Sequence, residues 1–219
     1  MSEINGQNQN SEAIPYCWDS KRIMDIEILL EIGTMGAGHA TTALSEILNE
    51  RIIVEVPRIH IAPPHVVPKI YGMHEKTVTV VYMQLRDEMD CDIMLVLNVE
   101  DAKKIAALMT LAASADEVTP EMEASAIEEL GSIMICSFIS AVANFAGIKL
   151  IPTSPQLVTD TFDSVIDYIL AKQALTSDTA LIFDTRFKRS KGSTEGTLIL
   201  FPSPQLKSLL VEKAKKWLR

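Results

Sequence analysis

A chain of 219 residues with 47% hydrophobic and 22% charged residues can bury most of the surface that its unfolded form exposes, which excludes general disorder and points to one domain near the upper edge of single-domain size. The formal charge of -9 repels phosphate backbones, and no basic stripe interleaved with aromatics occurs before the extreme C-terminus, so composition argues against nucleic-acid binding. Cys17, Cys91 and Cys136 form no CxxC pair, and His39, His60, His65 and His74 show no ligand spacing, so neither a disulfide frame nor a metal is assigned.

Residues 1–22 are polar and carry no basic-then-apolar export signal. They read as a disordered lead-in to a folded domain over 23–219 that stays in the cytoplasm. A helix is predicted over Ile26–Leu48, followed by short β-branched runs at Ile52–Val56, Ile59–Ile61, Val78–Met83 and Ile93–Val99 that read as strands. A second helix is expected at Ala102–Ala112 and a long one at Pro120–Phe145, with Thr119 as its N-cap and Pro120 suited to its first turn. Inside the latter, Leu130–Ile148 is free of charges but contains Gly131, Ser132, Ser137, Ser140, Asn144 and Gly147. It falls short of the roughly 20 apolar residues of a membrane span and reads as a buried core helix.

Further strands are expected at Lys149–Ile151, Leu157–Thr159, Ala180–Phe183 and Thr197–Phe201, whereas Asp163–Thr176 fits either a helix or a continued strand. The polar segments LRDEMDCD and RFKRSKGSTEG suit hairpin connections. The last helix is predicted at Gln205–Leu218, pairing Leu209, Leu210, Trp217 and Leu218 with Lys207, Lys213, Lys215, Lys216 and Arg219. Such a segment packs its apolar side and hydrates its lysines; a membrane-surface or partner-docking role is the alternative.

Glu27–Leu48 can be laid on the segment Ala124–Ala146 so that Glu31 meets Glu129, Gly33 meets Gly131 and Ala43 meets Ala141, each pair 98 positions apart. The same offset carries Pro57 onto Pro155. DIMLVL followed by EDAKKIAALM also parallels GTLILF followed by PQLKSLLVEKA. The reading is therefore an α+β fold: one pseudo-symmetric domain of two αββ-type repeats, about 25–115 and 120–219, with a mainly antiparallel sheet and two long helices packed on it.

Near the start of each long helix lies a polar triplet, Glu27, Glu31 and Thr34 in the first and Ser125, Glu129 and Ser132 in the second. Spacings of four and three put each triplet on one helix face. GTMGAG (Gly33–Gly38) lacks the Gly-Lys-Ser/Thr ending of a phosphate loop and does not follow a convincing strand, so its glycines read as a close approach of the helix to other backbone. The methionines, Met35, Met109, Met122 and Met134 among them, read as core packing.

The segment LLEIGTMGAGHATTALSEILNERIIVEVP resembles the first conserved segment of the CheC, CheX and FliY-type chemotaxis phosphatases, and the second triplet resembles that family's second copy. The likeness implies that the substrate is the aspartyl phosphate of a CheY-like receiver. It implies that Glu31 and Glu129 dock beside a receiver lysine, and that an Asn three residues later holds the attacking water through an amide able to donate and accept. Here Thr34 and Ser132 occupy the two Asn positions, so hydrolysis is expected to be weak. Either hydroxyl can instead bond back into its own helix. Glu27 and Ser125 fall at the family's partner-contacting position, where Ser125 alone fits the usual Asp or Ser. The resemblance implies no cofactor of the chain's own, any Mg²⁺ belonging to the receiver. The alternative is a catalytically silent module that binds a CheY-like receiver or the CheD deamidase; a role in the flagellar or archaellar switch follows only from wider relationships.

Overall fold

The computed structural model describes residues 20–55, 57–73, 75–86, 89–175, 180–191 and 194–217. Helix α1 spans Ser20–Leu48, six residues longer at its start than expected, and residues 1–19 of the expected lead-in lie outside the described residues. Strands β1 (Ile52–Val54) and β2 (Arg58–Ala62) follow, then a 3-10 turn, a short α2 (Val67–Tyr71), the hairpin β3 (Thr77–Leu85) and β4 (Cys91–Asn98), and α3 (Val99–Met109). The second half repeats that order with α4 (Pro120–Ala146), β5 (Gln156–Thr161), α5 (Phe162–Ala174), the hairpin β6 (Ala180–Arg189) and β7 (Glu195–Pro202), and α6 (Pro204–Trp217).

Local chemistry accounts for the bounds of the long helices. The Thr119 hydroxyl accepts from the Met122 N–H and Pro120 fills the first helical position, where its missing N–H costs nothing. Gly147 stops α4 at φ +62°, and Asn49, 98 positions earlier, stops α1 at φ +46°; both types tolerate the left-handed region.

The sheet is antiparallel throughout, in the order β1-β6-β7-β4-β3-β5, with β2 also on β6. Its centre is the pair Met94 and Ile199 on β4 and β7. The outer strands cross between halves: β2 pairs with β6 of the second half and β5 with β3 of the first. One face carries α1, α3, α4 and α6 over a core that includes Leu44, Ile93, Leu95, Ile127, Leu130 and Leu198. The opposite face carries α2 and α5 over Val80, Met94, Phe162, Ile182, Ile199 and Phe201.

Close helix–sheet approach depends on glycine at two matched positions. A Cβ on Gly131 would come within 2.5 Å of the Val81 side chain, and one on Gly33 would enter the ring of Phe183. Among the described residues α4 is the one helix long and apolar enough to cross a membrane, with a mean hydropathy of 1.6 over its most apolar stretch. It is a core helix here, 56% of that stretch being buried and its apolar side chains filling the core shared with α1 and the sheet.

Some expectations differ from this architecture, and one open reading is decided. Lys149–Ile151 forms no strand, only an isolated bridge from Pro152 to Leu85, because Pro152 has no N–H for a ladder. Asp163–Thr176, left open above, is mostly α5: Phe162, Ile166, Ile169 and Leu170 are buried with helical spacing. Helix α2 is not among the expected elements; its Pro68 sits in the first turn, where a missing N–H is tolerated.

Candidate functional site

Helices α1 and α4 pack against each other antiparallel. Gly36 meets Phe138, Glu31 and Met35 share a groove with Phe145, and Thr42 and Glu46 share another with Ile133 and Cys136. This places Glu27, Glu31 and Thr34 beside the end of α4, and Ser125, Glu129 and Ser132 beside the end of α1. The two triplets are therefore roughly 20 Å apart along the helix pair, measured between Glu31 and Glu129 at 1.5 Å per residue. They form two separate sites.

Glu27, Glu31, Thr34, Ser125 and Glu129 are exposed and Ser132 is half-buried. Among the described residues neither Glu31 nor Glu129 makes a hydrogen bond or ion pair, so both carboxylates are free to meet a partner. The Thr34 hydroxyl is committed: it donates to the Leu30 carbonyl at 2.8 Å. Thr41, Thr42 and Ser45 on the same helix do likewise, the usual local satisfaction of a helical hydroxyl.

Met24, Ile28, Ile32 and Met35 of α1, with Phe145 and Ala214, floor the groove that Glu27 and Glu31 border. Met24 and Met35 thus line a surface recess, contrary to the reading of Met35 as core. The α6 lysines partly serve to fasten this region, because Lys215 Nζ bonds Asp25 at 2.5 Å. The buried stripe of α6 is Leu206, Leu210, Val211 and Ala214; Leu209 is only half-buried, and Leu218 lies outside the described residues.

Two buried carboxylate clusters on the α2–α5 face were not singled out from sequence. Asp184, fully buried, accepts from Arg58 Nε and Nη2 at 3.1 and 3.0 Å, is 2.9 Å from His60 Nε2, and accepts from the Tyr71 hydroxyl at 3.1 Å. Burial pushes its acidity down, but the His60 and Arg58 contacts prevail and hold the carboxyl below its ordinary range. Asp92 accepts from Tyr82 at 2.5 Å, Gln84 at 2.7 Å and Lys172 at 3.2 Å. The available signal was a lone acid within an apolar strand, as in LIFDTRF and CDIMLVL. Burial also pushes the Cys91 thiol up, leaving it inert. Among the described residues no cluster of three or more His, Cys, Asp or Glu could hold a metal.

No protein-family model matches the chain. It is 25% identical over 165 residues to the CheY-P phosphatase CheC of Bacillus subtilis, covering 73% of this chain and 78% of that protein. FliY of Thermotoga maritima superposes with a TM-score of 0.67 at 18% identity, over 92% of this chain and 99% of that one. A chain of the CheX-CheY-BeF3-Mg²⁺ complex from Borrelia burgdorferi gives a TM-score of 0.50 at 16% identity, over 80% of this chain and 96% of that one. A continuous antiparallel sheet bearing two long antiparallel helices on one face is the CheC-like fold. The chain thus shares this fold with FliY, and its sequence is similar to that of the Bacillus subtilis CheC.

Proposed function

We propose that this chain is a cytoplasmic chemotaxis protein that docks a phosphorylated CheY-like receiver at the two ends of the α1–α4 pair, through Glu31 and Glu129, and hydrolyses its aspartyl phosphate slowly. The observation that carries this reading is the pair of exposed, unpartnered carboxylates at matched positions on a CheC-like scaffold. The named activity of the Bacillus subtilis relative and the presence of CheY in the Borrelia burgdorferi complex support it. Glu27 and Ser125, one helical turn earlier, extend each contact surface. No metal or cofactor of the chain's own is required, because the electrophilic phosphoryl group and any Mg²⁺ belong to the receiver.

Hydrolysis of this mixed anhydride needs a water held in line with the phosphorus. An amide supplies a donor and an acceptor in one plane, whereas Thr34 has a single hydroxyl proton and gives it to Leu30. Losing a positioning contact of this kind costs about 2.7–4 kcal/mol by analogy with oxyanion-hole deletions. That same hydrogen bond favours a second reading, a binding module that holds a receiver, or CheD, with little turnover. The deciding experiment follows the decay of receiver phosphate with and without stoichiometric protein, alongside calorimetric binding of the phosphorylated receiver. Faster decay that disappears in Glu31→Ala/Glu129→Ala supports slow catalysis; binding without acceleration supports the module; absence of both rejects receiver docking.

A further inference from the structure

On the α2–α5 face, where β3 begins and β4 ends, lies a cleft of about 290 Å³ bordered by Tyr71, Lys76, Asn98, Arg186, Glu195 and Thr197. Arg186 is half-buried and Lys76 exposed. Among the described residues neither side chain makes a hydrogen bond or ion pair. The acids nearby are already engaged. Asp184 is saturated by Arg58, His60 and Tyr71, and Glu195 meets Lys188 at 3.6 Å. The Asn98 side chain is taken up with Asp101. A partly desolvated guanidinium with no carboxylate in direct contact is under-compensated, and its planar fork matches the oxygens of a carboxylate or phosphate.

The corresponding place at the other end of the sheet shows what is missing. Counting two residues back from the central Met94 and Ile199 pair gives Asp92 on β4 and Thr197 on β7. Asp92 stands opposite Gln84 and is neutralised by Lys172, whereas Thr197 stands opposite Arg186. One cluster carries an anion at this position and the other has a neutral hydroxyl there.

We infer that the Arg186 cleft binds a small oxyanion-bearing ligand, a phosphate or a carboxylate, on the Arg186 guanidinium and the Lys76 ammonium. The site lies across the sheet from the α1–α4 pair and does not depend on the receiver reading. Calorimetric titration of the full chain with inorganic phosphate and, separately, with succinate at low ionic strength tests it. Saturable binding with a Kd of about 1 mM or tighter is expected for at least one anion, the tighter of the two naming the ligand chemistry. Arg186→Gln and Thr197→Asp should each weaken it about tenfold or more, the second by supplying an internal carboxylate, while Lys69→Gln leaves it unchanged. In the unsubstituted protein, the same anion should shift the Arg186 Nε–H resonance, a readout independent of how the variants fold. No saturable binding of either anion, binding indifferent to both substitutions, or an unmoved Arg186 resonance overturns the inference.

Discussion

Thr34 and Ser132 differ from asparagine by little more than reach and one hydrogen-bonding group, yet those are what a water-positioning residue supplies. Replacing both, as Thr34→Asn/Ser132→Asn, should raise receiver dephosphorylation about 10²–10³-fold if the carboxylates already dock the partner. Single-turnover decay of receiver phosphate measures this, and an unchanged rate would mean that the scaffold itself is detuned. Asp184 makes a different residue-scale prediction. Its acidity is raised in the fold, so it contributes stability that is complete above the unfolded carboxyl value of about 4 and is lost as pH falls through the lower folded value. Urea midpoints measured from pH 6 to pH 2 should therefore fall on the acid side of about pH 4, and Asp184→Asn should flatten that part of the profile. At neutral pH the same substitution should cost about 3 kcal/mol, towards the lower end for a broken buried pair, because Arg58, 45% exposed, can turn to water.

At the scale of elements, the helix pair is held to the sheet by the absence of two side chains. Gly131→Ala would press a methyl group against Val81, and with one face of α4 packed into the core neither partner can retreat cheaply. A loss of about 1–3 kcal/mol in chemical denaturation is expected, whereas Gly38→Ala, where a Cβ meets open space, should be neutral or stabilising through helix propensity. Much at this scale was legible from residues. Alternating and continuous apolar runs located β3, β4 and β7, and the Thr119-Pro120 signal located the start of α4. The errors have local causes. Lys149–Ile151 has strand-like residues but runs into Pro152, and α2, five residues long with Pro68 inside it, is too short for apolar spacing to register.

For the whole molecule, the decisive feature is that the outer strands are exchanged: β2 completes the sheet of the second half and β5 that of the first. Residues 20–115 and 116–219 expressed separately should each fail to fold cooperatively and should regain a cooperative transition when mixed, as monitored by circular dichroism; independent folding of either would contradict the interlock. The separation of the two triplets also predicts that Glu31→Ala and Glu129→Ala act independently, each removing one class of receiver-binding event and their effects adding, as expected for distant sites. By itself, the amino-acid sequence determined the α+β class, the doubled order of elements and the candidate triplets, since periodicity and spacing are properties of the chain that survive without coordinates. Only the tertiary structure decided that the triplets occupy opposite ends of one helix pair, that Thr34 is bonded to Leu30, and that Asp92 and Asp184 are answered while Arg186 is not. Those outcomes depend on strand register and helix direction, which join residues far apart in the chain, 126 positions in the case of Arg58 and Asp184, and no local pattern encodes which distant side chain will stand opposite.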